Sequence, residues 1–335
     1  MIRRRALVTG AAGQDGSFLT ELLLAKDYEV LCLVREGSTA ANAVTALDHP
    51  QLRVVAGDLC DRPSLVQAVE QANPDEVYNL AAMSAVDSSW QTAESTSDVN
   101  AMGVVRLLEV LREVRSLSAV QFYQASTSEI FGRATDSPQS ESTQLRPRSP
   151  YGVAKAFAHQ MVEDYRNRHG LFGCCGILYN HESERRPTSF VVRKVTNAAA
   201  RISLGLQSSV ELGNLEAQRD WGFAGDYVEA MWRMLQAPAP ADYVVATGTP
   251  RSVADLLDVA FACVGIEDWS PHVVVNQAFV RPTEAVTLTG DSTKARTELD
   301  WAPSMTFDQM ISRMVRFDLE LESGLVEADR ASQRR

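Results

Sequence analysis

Short apolar segments alternate with amphipathic segments along most of this 335-residue sequence. Short apolar runs between polar segments are typical of buried strands, and they occur at 5–8, 28–34, 52–56, 76–80, 120–125, 173–179 and 243–247. Segments of helical composition or spacing lie between them, at 17–24, 63–71, 98–114, 151–169, 226–235 and 252–264. Regular alternation of this kind predicts an α/β fold built on a Rossmann-type, doubly wound parallel sheet.

The order of the segments also predicts how the chain divides. We expect residues 1–183 to form the Rossmann domain, which also receives roughly residues 214–250. The remaining segments, 184–213 and 251–330, are predicted to form a smaller, interleaved C-terminal domain that binds the substrate. Ligands of such sheets bind beyond the carboxyl ends of the strands. Polar residues that follow a predicted strand are therefore the candidates for function.

The first predicted strand runs into a glycine-rich turn and then a helix. Gly10, Gly13 and Gly16 allow a tight turn that brings backbone N–H groups against a pyrophosphate at the helix N-terminus. This strand, turn and helix context is the one that distinguishes a dinucleotide site from a chance glycine triplet.

The end of the second predicted strand bears on which dinucleotide is bound. Arg35 lies about 20 residues past the glycines, where an arginine accommodates a 2′-phosphate, so it favours NADP over NAD. Glu36 beside it could repel the same phosphate, so NAD remains an alternative cofactor. Asp58, after the third strand, can accept a hydrogen bond from the adenine amine. The small residues 81–84 after the fourth strand permit close approach of a cofactor.

A tyrosine and a lysine four residues apart begin the helix at 151–169, which Gly170 is predicted to end. Helical spacing puts Tyr151 and Lys155 on one face, where the ammonium is expected to lower the tyrosine pKa toward that of a general base. The pair suits the removal of a proton from an alcohol while hydride leaves its carbon. Residues 126–129 bring hydroxyl and carboxylate groups to the end of the fifth predicted strand.

Composition excludes several classes of protein. The net charge of −11 argues against a partner that is a nucleic acid or an anionic membrane. No apolar run approaches the ~18 residues of a membrane span, and the basic start lacks a signal-peptide pattern. The five cysteines show no metal-binding spacing and indicate reduced thiols in a cytoplasmic protein. No metal site is predicted.

These motifs together resemble the extended short-chain dehydrogenase/reductase superfamily, and most closely the GDP-mannose 4,6-dehydratase family. The resemblance covers the chain from Thr9 to Val315, and it rests on TGAAGQDGSFL, GDL, PDEVYNLAA, FYQASTSEIFG, PRSPYGVAK, GILYNHES, RDWGFAGDYVEAMW, ATG and RPTEA. It implies a hydro-lyase that converts GDP-mannose to GDP-4-keto-6-deoxymannose, with tightly bound NADP that is regenerated in each cycle. It also implies a homodimer or homotetramer, of which a dimer through the helices at 98 and 151 is the better supported.

The resemblance assigns a role to each catalytic candidate. Tyr151, helped by Lys155 and Thr127, would take the proton of the sugar C4 hydroxyl while hydride moves from C4 to NADP. Glu129 would then remove the C5 proton that the 4-ketone acidifies. Water leaves C6 with a proton supplied by Glu129 or relayed through Ser128, and the hydride returns to C6 before C5 is reprotonated.

The resemblance also implies two binding sets. The cofactor set is Gly10, Gly13, Gln14, Asp15, Gly16, Arg35, Asp58, Leu59, Leu80, Ala81, Ala82, Tyr151, Lys155, His181 and Arg186. The substrate set is Ser84, Asn180, Lys194, Arg219, Arg281 and Glu284. Guanidinium groups at 219 and 281 suit the oxygens of a diphosphate or ribose.

Departures from the family pattern keep alternatives open. Met83 and Ala85 stand where the family usually has an amide and an imidazole, and Pro187 and Thr188 replace a glycine and a carboxylate. A pocket changed in this way could take a GDP-manno-heptose. An NDP-sugar epimerase or reductase of the same fold, and a non-catalytic NADP-binding protein, are the further alternatives.

Overall fold

The computed structural model describes residues 3–35, 37, 47–279 and 288–332, with side chains described as far as residue 325. Arg281, Glu284 and Glu36 lie outside the described residues.

A seven-stranded parallel sheet forms the centre of the molecule. Its strands are β1 (Arg5–Thr9), β2 (Glu29–Val34), β3 (Leu52–Ala56), β4 (Glu76–Asn79), β5 (Gln121–Ala125), β6 (Phe172–Leu178) and β10 (Tyr243–Val245). The order across the sheet is β10-β6-β5-β4-β1-β2-β3, and every neighbouring pair is parallel. The direction of winding reverses between β1 and β4, which is where a doubly wound sheet opens a ligand crevice. The predicted fold class is confirmed.

Helices cover both faces of this sheet. They are α1 (Gln14–Ala25), α2 (Arg62–Ala72), α3 (Ala93–Ser97), α4 (Gly103–Val114), α5 (Pro150–His169) and α7 (Ala224–Gln236). Two separate clusters of buried apolar residues fill the space between sheet and helices, one on each face. The helix predicted at 98–114 differs in detail, because residues Asp98–Met102 form a π-helical turn between α3 and α4.

The two ends of α5 follow from local sequence. Pro150 occupies its first turn, where a missing N–H costs nothing, and the Ser149 side chain accepts a hydrogen bond from the Gly152 N–H at 3.0 Å. Gly170 ends the helix with a φ of +66°, a left-handed conformation that glycine adopts without strain. The predicted helix and its glycine stop are confirmed.

A smaller, mixed region is built from the rest of the chain. Its helices are α6 (Val191–Ser203), α8 (Val253–Ala262) and α10 (Phe307–Ser332), whereas α9 (Thr293–Glu298) packs on β10 at the edge of the central sheet. Strands β7 (Asn180–Glu182), β9 (Gln218–Phe223) and β11 (Pro250–Ser252) form one small sheet, and β8 (Val210–Leu212) pairs with β12 (Val273–Val275). A third apolar cluster holds α6, α8 and α10 together. Among the described residues, no helix has the length and apolarity needed to cross a membrane.

Candidate active site

The glycine turn after β1 is packed directly against the end of β4. Gly10 has a φ of +67°, and a Cβ at that position would lie 2.7 Å from the Ala81 nitrogen. A Cβ at Gly16 would overlap the backbone of Gly10 and Ala11. The Gly13 N–H closes the turn on the Gly10 carbonyl at 2.9 Å, and α1 begins at Gln14. Backbone N–H groups at the start of α1 therefore face the space above the sheet.

A cavity of about 630 Å³ opens at this turn and runs along the carboxyl ends of the strands. Most of the predicted cofactor set lines it, namely Gly10, Gly13, Gln14, Asp15, Gly16, Arg35, Asp58, Leu59, Leu80, Ala81, Ala82 and Arg186. Ser84, from the predicted substrate set, lines it as well, together with Met83 and Ala85.

The cavity has the chemistry of a dinucleotide site. The Arg186 guanidinium stacks on the Phe190 ring, 3.8 Å from its centroid, and both residues line the cavity. The Nε of Arg186 is buried without a hydrogen-bond partner, 3.5 Å from a Glu182 carboxylate oxygen. A cation with spare donors near a helix N-terminus suits a diphosphate, and the glycine turn leaves room for it.

Asp15 and His181, both predicted to touch the cofactor, also bind each other. His181 Nε2 lies 2.8 Å from an Asp15 carboxylate oxygen, and its Nδ1 lies 2.8 Å from the Tyr179 carbonyl oxygen. Burial alone would lower the pKa of His181, but the Asp15 carboxylate reverses this and raises it. The imidazole also stacks on Tyr227 with a centroid distance of 4.6 Å. Asp15 lines the cavity, whereas His181 lies behind it.

The start of α5 meets the end of β5 at the predicted catalytic residues. The Thr127 hydroxyl lies near the Tyr151 phenol and accepts the Glu129 N–H at 3.3 Å. Residues Ser128–Ile130 form a 3₁₀ turn, in which Ser128 is buried and Glu129 is half-buried. A Cβ at Gly152 would lie 2.8 Å from the Glu129 carbonyl oxygen, so α5 packs closely on this turn. The structure thus brings these hydroxyl, phenol and carboxylate groups together.

Lys155 lies on the same face of α5 but does not bind the phenol. Its Nζ donates to the Ala125 carbonyl oxygen at 2.9 Å and lies 5.9 Å from the centre of the Tyr151 ring. Burial raises the pKa of Tyr151 to about 12, and the nearby Glu129 charge adds to this effect. Burial lowers the pKa of Lys155 to about 8. The expectation that Lys155 lowers the tyrosine pKa is therefore wrong for this arrangement, because burial outweighs an ammonium that points elsewhere.

Three described members of the predicted substrate set, Asn180, Lys194 and Arg219, do not line this cavity. Asn180 is exposed on β7. Lys194 Nζ donates to the Glu211 carbonyl oxygen at 2.6 Å and lies over the Phe279 ring. Arg219, on β9, donates to the Gln218 carbonyl oxygen at 2.7 Å. Arg281 and Glu284 lie outside the described residues.

Two sets of polar side chains that fix the backbone around the cavity were not predicted from the sequence. The Asn100 side chain, in the π-helical turn, binds both the N–H and the carbonyl oxygen of Met83, at 2.8 and 2.9 Å, and so fixes the cavity wall. Buried polar side chains also link β1, β4 and β5. Polar residues at the ends of apolar strands were the available signal, but their partners depend on strand register.

One cluster among the described residues has metal-ligand composition. Ligand atoms of His159, Cys175 and Asp242 lie within 4.8 Å of one another. The Arg166 guanidinium already binds Asp242 at 2.5 Å, and burial raises the pKa of the Cys175 thiol well above its usual value. A neutral thiol and a neutralised carboxylate are poor ligands for a cation.

Comparison with known proteins places this geometry in a family. A family model described as GDP-mannose 4,6 dehydratase matches residues 7–314. The chain is 48% identical to GDP-mannose 4,6 dehydratase 1 of Arabidopsis thaliana, over 95% of this chain and 91% of the relative. It is 42% identical to the Homo sapiens GDP-mannose 4,6 dehydratase, over 95% and 92%.

Solved structures show the same fold. A dTDP-glucose 4,6-dehydratase from Streptomyces venezuelae, solved with NAD bound, superposes with a TM-score of 0.82 at 25% identity, covering 94% of this chain and 97% of that one. The chain belongs to the GDP-mannose 4,6-dehydratase family.

Proposed function

We propose that this chain is a hydro-lyase that converts GDP-mannose to GDP-4-keto-6-deoxymannose. The observation that carries the proposal is the grouping of Tyr151, Thr127 and Glu129 at the end of β5, next to a cavity with the features of a dinucleotide site. Identity of 41% or more to dehydratases over nearly the whole chain supports the reaction type.

Different residues are suited to remove the two protons of the reaction, the one on the C4 hydroxyl and the one on C5. Tyr151, which lies near the Thr127 hydroxyl, is suited to take the proton of the C4 hydroxyl. Glu129 is suited to remove the C5 proton, and it or Ser128 then protonates the departing C6 hydroxyl. The bound nicotinamide supplies the hydride acceptor and donor, so the reaction involves no net change of redox state. Lys155 holds positive charge beside the reacting groups.

The cofactor we propose is NADP, retained and regenerated in each cycle. Arg35 lines the cavity at the end of β2, where it can reach a 2′-phosphate. Arg186 and the N-terminus of α1 are suited to the diphosphate, and Asp58 and Leu59 to the adenosine half. His181 holds Asp15 at the cavity wall rather than meeting the cofactor from within it.

The sugar nucleotide is proposed to bind between the two regions of the chain. We assign residues 1–183 with roughly 214–250 to the cofactor domain, and 184–213 with 251–330 to the substrate domain. Ser84, Asn180, Lys194, Arg219, Arg281 and Glu284 are the proposed substrate residues. Because Met83 and Ala85 line the same cavity as Ser84, a GDP-manno-heptose is the second candidate substrate.

We also propose a cytoplasmic homo-oligomer. Met102 beside α4 and Val153 and Phe157 on α5 expose 45%, 55% and 43% of their surfaces, and Trp90 exposes 64%. Large apolar side chains on adjacent helices support a dimer through these helices, and a homotetramer would need a further interface. The described cysteines are all free thiols, which agrees with a reducing compartment.

The decisive experiment is incubation of the purified protein with GDP-mannose and, separately, with GDP-manno-heptose, followed by mass spectrometry. We expect GDP-mannose to lose one water. Loss of water from GDP-manno-heptose alone would identify the heptose as the substrate. It would also indicate that Met83 and Ala85 help to select the sugar. If neither sugar loses water in protein that carries bound cofactor, the dehydratase proposal is wrong for both.

A further inference from the structure

A row of three polar side chains crosses the middle of the central sheet. Thr9 of β1 is in register with Asn79 of β4, and Asn79 is in register with Gln124 of β5. All three are at most 1% exposed, and their neighbours in the same row are Leu33 and Cys175. Strands of a parallel sheet buried on both faces normally carry apolar side chains. Three buried polar groups in one row therefore require an explanation.

The hydrogen bonds of the row all run in one direction. The Thr9 hydroxyl donates to Asn79 Oδ1 at 2.6 Å, and Asn79 Nδ2 donates to Gln124 Oε1 at 2.8 Å. Gln124 Nε2 then donates to the Ala125 carbonyl oxygen at 3.0 Å. Each member thus accepts on one side and donates on the other, an arrangement in which successive hydrogen bonds polarise one another.

The two ends of the row are functional elements. At one end the Thr9 oxygen accepts the N–H groups of Leu80 and Ala81, both at 3.1 Å, and these residues line the dinucleotide cavity. At the other end the Ala125 carbonyl oxygen also accepts the Lys155 ammonium at 2.9 Å. Continuous hydrogen bonds therefore join the cavity wall to Lys155.

We propose that Thr9, Asn79 and Gln124 are positioning residues that hold the Ala125 carbonyl in place for Lys155 and couple the cavity wall to that lysine. Without the Gln124 donor, the Ala125 oxygen has a lone pair to spare and accepts the ammonium more strongly. The other groups that face Lys155 are Tyr151 of its own helix, Asp15 of α1 and Cys175 of β6. Since Asp15 and Tyr151 are not members of the row, variants in the row leave their charges unchanged.

Two variants test the row at its two ends. Gln124→Met removes the last donor at similar volume, and Thr9→Val removes a hydroxyl without changing shape. Thr9→Ser restores the hydroxyl. Tyr78→Phe is the matched control, because Tyr78 is a buried β4 residue whose hydroxyl binds Glu76 at 2.7 Å outside the row.

The first readout is the pH titration of the Lys155 side chain in the cofactor-loaded protein, followed by carbon-13 NMR and assigned with Lys155→Met. We expect Gln124→Met to move the titration upward by about half a unit or more, and Thr9→Val to move it less in the same direction. Thr9→Ser and Tyr78→Phe should titrate like the wild type. The second readout rests on the proposed function: kcat for GDP-mannose should fall about tenfold in Gln124→Met, with KM nearly unchanged.

An unchanged Lys155 titration in both Gln124→Met and Thr9→Val would overturn the proposal and leave the row a purely structural feature. If Gln124→Met does not fold, the comparison of Thr9→Val with Thr9→Ser decides alone. The titration needs no turnover, so a wild-type protein that is inactive on GDP-mannose would contradict the proposed function without affecting this test.

Discussion

The Lys155 ammonium is bound to the Ala125 carbonyl oxygen at 2.9 Å, while the ring centre of Tyr151 lies 5.9 Å away. The lysine is thus fixed to the end of β5 rather than paired with the phenol. Because it is buried, the charged form costs stability, and its pKa falls to about 8. Lys155 is thus proposed to serve the reaction while its buried charge destabilises the folded protein.

Lys155→Met is accordingly expected to abolish turnover and yet raise thermal stability near pH 7. The folded-state pKa lies below the unfolded value of 10.5, so wild-type stability should increase as the pH rises from about 8 to above 10. After allowing for the lost hydrogen bond, we expect the variant to gain on the order of 2 kcal/mol at pH 7. Melting temperatures measured from pH 6 to 10.5 test this. A variant that is less stable than the wild type at pH 7 would contradict it.

Glu129→Gln separates a dehydratase from an epimerase of the same fold. Glutamine keeps the shape of the side chain but cannot remove the C5 proton, so water loss should fall by about 10²-fold or more. Exchange of the C5 hydrogen in deuterated water should fall in parallel. Ser128→Ala, next to it in the same 3₁₀ turn, serves as the comparison and should lose less activity. A C4 epimerase would tolerate the change at Glu129.

Arg35→Ala should shift the preference between the two nicotinamide dinucleotides. If the guanidinium meets a 2′-phosphate, its loss should weaken NADP binding about tenfold or more and leave NAD binding nearly unchanged. Titration calorimetry with both dinucleotides measures the ratio. Arg112→Ala is the control, since Arg112 pairs with Glu109 on α4 and does not line the cavity. Equal weakening of both dinucleotides would remove the basis for preferring NADP.

The Asp15–His181 pair should stabilise the folded protein only within a limited range of pH. Burial opposes the charges of both partners, but their attraction lowers the pKa of Asp15 and raises that of His181. The stabilisation should be present above the unfolded Asp pKa of about 4, and should be lost as the pH rises through the folded His181 pKa, above about 6.5. Thermal unfolding of the wild type and His181→Gln from pH 4 to 9 should therefore differ most between pH 4 and 6.5. A difference independent of pH would show that the imidazole acts by packing on Tyr227 alone.

Phe157→Glu is expected to disrupt the proposed dimer. A carboxylate at the centre of an apolar helix face cannot be buried without a partner, so the protein should become monomeric. Light scattering coupled to size-exclusion chromatography measures the mass. Leu321→Glu on α10, where the wild-type leucine is 45% exposed, introduces the same charge on another surface and should leave the mass unchanged. A wild-type monomer would refute the dimer directly.

Local sequence determined a large part of this protein. The glycine turn at Gly10, the helix that ends at Gly170 and the strands of the central sheet depend on residues close together in the chain. Turn geometry, helix capping and hydrophobic runs act over a few residues, and they can be read without knowing the fold. The presence of Tyr151 and Lys155 on one helical face was equally predictable.

Tertiary structure decided which groups became partners. Lys155 meets Ala125, Asp15 meets His181, and Thr9, Asn79 and Gln124 form one row, although the bonded partners lie 30 to 166 positions apart in the chain. Such pairings depend on strand register and on how α5 lies across β5, which no local pattern specifies. Burial then set the pKa values of Tyr151 and Lys155, because the cost of removing a charge from water depends on everything packed around it.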